Sequence, residues 1–472
     1  MKLALSQISR WLATEPLAAS ESITAKGYSI DSRTLQPGDL FFAIRGERFD
    51  GHNFVAAALE RGACAAVVSR AHLHGLPETA KHHPLLVVDD VLASLQRLAA
   101  SVRRHWGKRI VGITGSAGKT TTKEAVAAVL GARFSVLKSQ GNLNNHFGLP
   151  LQLLRLEPEH DVAVIEMGMS AAGEIAALCR IAAPDWGVVT NVGHAHAENF
   201  PDGIAGIARA KYELVAALPR HGVAFLNCDD VYVSQFGRDF AGKVVYFGRG
   251  PCADPRVDHV ESLGAEGLKM HVRAGGQQSE LQLHLPGEHN ASNALAAIAV
   301  GVEAGIPLAA CCAALEALRP EDKRGQILTL RGATIINDCY NSNPEALKSM
   351  IQTLRVTPAQ RRILVAGEML ELGPEAAALH AACGKAAAQA GIEIVLGVRG
   401  NARHIVEAAQ GAGAEALFVE TPEAAGAWLL GHLQPGDAVL LKASRGVRLE
   451  RALAVLQDAE KQSGSAQAGD IR

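Results

Sequence analysis

From residue 109 onward the chain alternates short, wholly apolar runs with longer stretches in which apolar residues recur every three to four positions. Ile110-Val-Gly-Ile113, Val162-Ala-Val-Ile165 and Val223-Ala-Phe-Leu226 are apolar at consecutive positions, as strands covered on both faces are. The pattern predicts strands over 109–114, 134–137, 161–167, 186–192 and 223–226 with helices between them, an α/β fold on a parallel sheet. Upstream, short strands over 39–44 and 65–68 beside helix-like stretches predict a small α/β domain, and a helix over 91–106 leads into the core. The opening Met-Lys-Leu-Ala-Leu-Ser-Gln-Ile-Ser-Arg-Trp-Leu reads as a short amphipathic helix. A β-rich patch over 244–285 interrupts the rhythm, and helices follow at about 291–318. Then Arg319-Pro-Glu-Asp-Lys-Arg-Gly325, polar and turn-prone, precedes a fresh series of strands over 334–337, 363–366, 392–396, 416–419 and 438–441, which predicts a third, dinucleotide-binding-like domain. The divisions expected are 1–84, 85–319 and 320–460, with the small and polar segment 461–472 as a disordered tail.

Composition narrows the function. The 472 residues suffice for about three domains. A net charge of -2, with no dense Lys/Arg run interleaved with aromatics, excludes nucleic acid as the expected partner. Eight cysteines, at 64, 179, 228, 252, 311, 312, 339 and 383, contain no C-x-x-C pair. This argues against a disulfide framework or a structural zinc site and fits a reducing cytoplasm. The first apolar run breaks too early for a secretory leader, and no stretch is long and apolar enough to span a bilayer.

The strongest chemical signal is Ile110-Val-Gly-Ile-Thr-Gly-Ser-Ala-Gly-Lys-Thr-Thr-Thr-Lys123. A buried strand runs into a glycine turn, a lysine and hydroxyls that open a helix. Gly115 and Gly118 free the backbone to curl its N–H groups inward, and the helix start offers its positive dipole end to an anion. Lys119 is placed to reach terminal phosphates, and Thr120 or Thr121 to hold Mg2+. Ile113 replaces the first glycine of the strict Walker pattern, so the loop is written T-G-x-x-G-K-T-T. Glu166 ends an apolar strand, where a carboxylate either meets Mg2+ or caps the next helix. His194 and His196 follow another strand in the same crevice, as metal ligands or hydrogen-bonded loop residues. Lys211, by spacing alone, is a solvated helix lysine. Gly141-Asn-Leu-Asn-Asn-His-Phe-Gly-Leu-Pro150 and Gly287-Glu-His-Asn-Ala-Ser-Asn293 are rich in amides, which suit sugar, peptide and adenine groups or, equally, turns and caps. In the last third, Ile336-Asn-Asp-Cys-Tyr-Asn-Ser-Asn-Pro344 and Lys442-Ala-Ser-Arg445 leave strands toward a shared cleft.

Together these motifs resemble the Mur ligase family, ATP-dependent amide-forming enzymes of bacterial cell-wall precursor synthesis, over nearly the whole chain. Within the family, Asp31-Ser-Arg33 with Asp50-Gly-His52, Asn142-Leu-Asn-Asn145 with Gly148 and Pro150, Asn337-Asp-Cys-Tyr-Asn-Ser-Asn-Pro344 and Met369-Leu-Glu-Leu-Gly373 are similar to the members that add D-alanyl-D-alanine to UDP-N-acetylmuramoyl-tripeptide. The Asp-Asn-Pro-Arg signature of the diaminopimelate-adding relatives is absent. Lys442-Ala-Ser-Arg445 and Gly367-Glu-Met-Leu-Glu371 depart conservatively from the commoner Lys-Gly-Ser-Arg and Gly-Asp-Met-Leu-Glu.

The resemblance implies a small N-terminal α/β UDP-binding domain, a central P-loop-type ATPase domain with a parallel sheet and a C-terminal Rossmann-like domain, in a cytoplasmic monomer serving peptidoglycan synthesis, cell shape and division. It implies ATP binding by Thr114, Gly115, Ser116, Ala117, Gly118, Lys119, Thr120, Thr121, His289, Asn290, Asn293, Arg324 and Asp338. Thr120, Glu166, His196 and a CO2-carbamylated Lys211 would hold Mg2+, with Lys119, Glu166, His196 and Lys211 as the catalytic set. Substrate contacts would come from Asp31, Ser32, Arg33, Asp50, His52, Asn142, Asn144, Asn145, Tyr340, Asn341, Asn343, Lys442, Ser444 and Arg445. A folylpolyglutamate synthase-like ligase shares the core motifs but has no need of residues 1–84.

Overall fold

The structure is a computed structural model that describes residues 1–16, 22–46, 48–194 and 197–469, with side chains to residue 461. Its centre is a six-stranded, all-parallel sheet in the order Lys243–Phe247, Val223–Asn227, Trp186–Val189, Arg109–Thr114, Val162–Glu166, Val136–Lys138. The chain lays down Arg109–Thr114 first, fills one side, then returns to fill the other. The loops after Arg109–Thr114 and Trp186–Val189 therefore diverge at a topological switch point, where such sheets form their crevice. Every residue of Val162–Glu166 is buried, which explains its unbroken apolar run. In the antiparallel meander Arg256–Ser262, Leu268–Ala274, Gln277–Leu283, the strand Leu268–Ala274 alternates buried and exposed, the period of a sheet covered on one face.

The β-rich patch expected over 244–285 thus divides: Lys243–Phe247 joins the central sheet in parallel and only the remainder forms the meander. The N-terminal helix is Leu5–Leu12, burying Leu5, Ile8 and Leu12, and a two-residue strand, Leu3–Ala4, precedes it.

A four-stranded parallel sheet of Gly27–Ser29, Asp39–Phe42, Ala65–Ser69 and Leu85–Val88 stands near the N-terminus. Its last strand lies beyond the division expected at residue 84. Pro84 reads as a break in sequence, but its carbonyl accepts from the Ala66 N–H and starts a strand instead. The helix Val91–Trp106, capped by Asp90 on the Ala93 N–H and closed by Gly107 at φ 67°, shares one core with this sheet and with the helices of the central sheet. Its Arg103 side chain donates to the carbonyls of Ala182 and Ala183 and pairs with Asp185 at 2.9 Å.

The C-terminal sheet has the order Gln326–Leu330, Ala333–Asp338, Asp437–Lys442, Arg361–Gly367, Ile394–Val398, Glu415–Val419. Only the first pair is antiparallel. The hairpin partner Gln326–Leu330 is not among the expected strands. Asp437–Lys442 lies beside Ala333–Asp338 with Asp338 opposite Lys442, so two strands far apart in sequence deliver opposite charges to one spot. The final helix spans Glu450–Gly469, so helical backbone continues into the segment expected to be a disordered tail; its Ala, Gln and Lys residues are good helix formers that extend an established helix.

Cys228 and Cys252 form a disulfide with Cα atoms 6.3 Å apart, contrary to the expectation drawn from spacing. Each follows a strand of the parallel pair Val223–Asn227 and Lys243–Phe247, and that pairing, invisible in cysteine spacing, brings them together. The other six cysteines are free. No helix among the described residues is long and apolar enough to cross a membrane.

Phe225, fully buried in the central sheet with its ring 5.4 Å from that of Trp186, tests the core that carries the crevice. Phe225→Ala is expected to lower unfolding free energy by about 3–5 kcal/mol, read as a reduced urea midpoint.

Candidate functional site

The glycine loop bridges Arg109–Thr114 and the helix Lys119–Gly131. Gly118 has a φ of 77°, and a Cβ there would collide with Asn293 Oδ1, as one on Gly115 would with Thr190 Oγ1; only glycine fits both positions. The loop is fastened from the neighbouring strand's loop. The Ser116 N–H donates to the Asn191 carbonyl at 3.0 Å and the Ala117 N–H to Asn191 Oδ1 at 2.8 Å. Thr190 Oγ1 donates to the Ala117 carbonyl at 2.7 Å. These two N–H groups are therefore spent inside the protein rather than turned to the crevice. The donors left for an anion are those of the first turn of Lys119–Gly131, which no intrahelical carbonyl satisfies. Lys119 lies across the loop with Nζ 2.8 Å from the Gly115 carbonyl. Burial lowers its pKa, with the Glu166 charge opposing and Arg324 adding to the shift.

Glu166 is 3% exposed. Its Oε2 accepts from Thr120 Oγ1 at 2.9 Å and its Oε1 from Asn144 Nδ2 at 2.8 Å, while its N–H donates to Ser139 Oγ. Two segments converge on one carboxylate and a third holds its backbone, and no ion pair to it is present among the described residues. Buried carboxylate and hydroxyl oxygens side by side form a donor set for a hard cation, so the residues fit Mg2+. The alternative of Glu166 as a helix cap is not realised. Asn144, expected as a substrate contact, lines the cavity and also holds Glu166.

Lys211, on the helix Gly203–Ala216, is 2% exposed, not the solvated lysine that spacing suggests. Burial, and then the charge of Lys119, depress its pKa well below the usual lysine value. His196 lies outside the described residues. His194 turns to the C-terminal side, with Nδ1 2.8 Å from Glu345 Oε1.

A cavity of about 480 Å3 runs between the two halves. The central side contributes Ser116 to Thr121, Asn142, Asn144, Asn145, Glu166, His289 and Asn290; the C-terminal side contributes Arg324, Asp338, Tyr340, Asn341, Asn343, Lys442 and Arg445. Lys442 Nζ is 2.5 Å from Asp338 Oδ2. The Arg324 guanidinium lies 3.8 Å from the centre of the Tyr340 ring, and Arg445 pairs with Glu450 at 2.6 Å. Desolvation pushes the His289 ring down to about 4; it is neutral near pH 7 and 2.9 Å from Ser349 Oγ.

Several expected contacts do not line this cavity. Thr114 is fully buried and donates to the Met167 carbonyl at 2.9 Å. Asn293 accepts from Thr122 Oγ1 and donates to Asn290 Oδ1, a brace behind the loop. Ser444 accepts the Leu370 N–H at 3.0 Å. Asp31, Ser32, Arg33, Asp50 and His52 belong to the N-terminal region: Arg33 pairs with Asp31 at 2.7 Å, and Asp50 bonds His52 Nδ1 at 2.6 Å, whose Nε2 accepts from the Ser69 N–H. Conversely, His146, Ser170, Glu174 and Ser342 line the cavity without having been singled out. His146 and Ser342 sit inside motifs already noted, whereas Ser170 and Glu174 carry no sequence signal.

Fold and cleft together define the class: a nucleotide-dependent α/β enzyme whose site lies at a topological switch point. Family models match over most of the chain, as the Mur ligase middle domain at residues 113–301, the Mur ligase glutamate ligase domain at 323–445 and the Mur ligase family catalytic domain at 24–103. The chain belongs to the Mur ligase family. It is 36% identical over 435 residues to the UDP-N-acetylmuramoyl-tripeptide--D-alanyl-D-alanine ligase of Bacillus subtilis (strain 168), covering 91% of this chain and 93% of that one. It is also 36% identical over 463 residues to the enzyme of that name from Escherichia coli (strain K12), covering 97% and 99%. Among solved structures it superposes on MurF from Acinetobacter baumannii with a TM-score of 0.87 at 29% identity, over 97% of this chain and 99% of that one. It superposes on the MurF ligase of Thermotoga maritima, solved in complex with ADP, with a TM-score of 0.81 at 28% identity, over 93% and 99%.

The hold on Glu166 is testable without substrate. Asn144→Ala removes a hydrogen bond to a charged group, and a loss of about 1.5–3 kcal/mol is expected in urea unfolding. Asn144→Asp sets a second carboxylate beside the first, raising the folded-state pKa of the pair above its unfolded value. The proton so held stabilises only at low pH, so the melting temperature of this variant is expected to fall against that of the parent chain as pH rises from about 5 to 8.

Proposed function

We propose that this chain is an ATP-dependent ligase that joins D-alanyl-D-alanine to UDP-N-acetylmuramoyl-tripeptide through an acyl phosphate, giving the UDP-N-acetylmuramoyl-pentapeptide. The observation that supports it most is the single cleft on which the phosphate loop, the buried Glu166 and the segments 338–343 and 442–445 converge, in a chain 36% identical to ligases of that name over more than nine-tenths of its length. The division into 1–84 for the UDP end, 85–319 for ATP and 320–460 for closure is part of the proposal, with the first boundary moved past the strand Leu85–Val88.

In this reading the tripeptide carboxylate attacks the γ-phosphorus of ATP, and the bond to the ADP oxygen breaks. The dipeptide amine attacks the acyl carbon of the resulting acyl phosphate, the C–O bond to phosphate breaks and the amine proton is lost, leaving an amide and inorganic phosphate. Lys119 and the first-turn N–H groups of Lys119–Gly131 bind and orient the phosphates, and Arg324 adds a cation from the other wall. Thr120 and Glu166 would hold Mg2+, which when bound would supply charge neutralisation on the phosphoryl oxygens. A neutral amine is what CO2 requires for carbamate formation, and burial, with the charge of Lys119, shifts Lys211 in that direction. The carbamate would replace a buried cation with an anion. Closure of the C-terminal half over the cleft keeps water from the acyl phosphate.

Phosphate release from ATP is the direct test, with the two substrates supplied separately and together. Release that needs both, with a pentapeptide product in the mass spectrum, is expected; stimulation by glutamate and a folate instead overturns the substrate assignment. Lys119→Ala is expected to lower turnover by at least about 10²-fold. Removal of dissolved CO2 is expected to slow the parent chain, with recovery on adding bicarbonate, while Lys211→Met stays slow in both conditions.

A further inference from the structure

Three buried side-chain polar atoms lack a hydrogen-bond partner among the described residues: Ser342 Oγ, Arg362 Nε and Glu450 Oε2. Of the three residues, only Ser342 lines the cleft. Its surroundings are otherwise saturated. The Ser342 N–H donates to Asn341 Oδ1 at 2.9 Å, its carbonyl accepts from Ser444 Oγ at 3.3 Å, and Asn343 caps the helix Pro344–Val356 on the Ala346 N–H at 2.8 Å. The residue is 7% exposed. A hydroxyl this buried and unpaired is held at a cost to the folded chain, and at the wall of a substrate cleft a ligand polar group can offset that cost.

The neighbouring charges indicate which ligand. Beside Ser342, Lys442 is taken up by Asp338 and donates to the Asn341 carbonyl, and Arg445 is paired with Glu450, whereas Arg324, the cation this wall offers to phosphate, lies over Tyr340. The phosphate loop and Lys119 occupy the opposite wall. Amides and hydroxyls among paired charges suit a peptide group, and a hydroxyl can donate to a peptide carbonyl or accept from a peptide N–H; a polyphosphate is met by Lys119 and Arg324 instead. We infer that the Ser342 hydroxyl is a binding contact for the peptide group of the acceptor D-alanyl-D-alanine, orienting its amine toward the acyl phosphate. The assignment rests on the ligase reading above. No bond to Ser342 forms.

Ser342→Ala separates this role from a structural one, because removing an orphaned hydroxyl costs the free protein nothing. The apo melting temperature is expected to be unchanged or higher, and KM for D-alanyl-D-alanine to rise about 3- to 10-fold, with KM for ATP and for the UDP-tripeptide unchanged. A lower melting temperature with unaltered KM values makes the hydroxyl structural and overturns the inference. A rise in KM for ATP or for the UDP-tripeptide alone overturns the acceptor assignment, and three unchanged KM values overturn the contact altogether. Absence of turnover in the parent chain with all three substrates is the separate result that removes the ligase reading, and the acceptor assignment with it.

Discussion

A carboxylate withdrawn from water at the end of a buried strand is the constraint on which the cleft depends. Glu166 keeps 3% exposure, and an ionised carboxyl in such a place is tolerated only with its oxygens engaged. The engagement comes from Thr120 in the helix after the phosphate loop and Asn144 in the asparagine-rich turn, with Ser139 receiving the backbone N–H. To satisfy one group, the structure must draw the phosphate loop's helix and the turn at 142–145 against the same strand end. Thr190 and Asn191 then hold the loop from the other side of the switch point. Two parallel-sheet neighbours thereby set the loop without using the first-turn N–H groups of its helix.

The second half of the cleft is arranged by register. Asp338 and Lys442 are paired residues on adjacent strands, so their salt bridge follows from the sheet rather than from flexible side chains finding each other. That pairing engages one cation of the wall that faces the phosphate loop, beside the amides and hydroxyls of Tyr340, Asn341, Ser342 and Asn343. Contacts between His194 and Glu345 and between His289 and Ser349 tie the central half to the helix Pro344–Val356 of the C-terminal half. The pairing of His289 does not depend on its protonation near neutrality, since its ring stays neutral well below pH 7.

Most strands of the two large sheets are legible because they are runs of apolar residues covered on both faces, as in Val162–Glu166 and Asp437–Lys442, whereas the edge strand Gln326–Leu330, only partly buried, is not. The phosphate loop is legible because glycine, lysine and hydroxyl in that order have few other uses. Lys211 is not: its helix spacing is that of a surface residue, and burial follows from the position of Gly203–Ala216 against the sheet. Thr114 and Asn293 belong to motifs that point at nucleotide, yet both side chains turn into the protein as braces. The strand Leu85–Val88 is hidden by Pro84, and the Cys228–Cys252 bond by a spacing that only the pairing of two parallel strands makes short.

Local chemistry is what the chain states without its fold. Periodicity sets each strand and helix, glycine permits the loop, and the order of motifs marks the family, because these depend on neighbours within a few positions. Which buried groups share a partner was decided only in three dimensions. Glu166 with Asn144, Asp338 with Lys442 and the unpaired hydroxyl of Ser342 depend on strand order and register. Desolvation and pairing energies belong to distances across the fold, and no spacing along the chain encodes them.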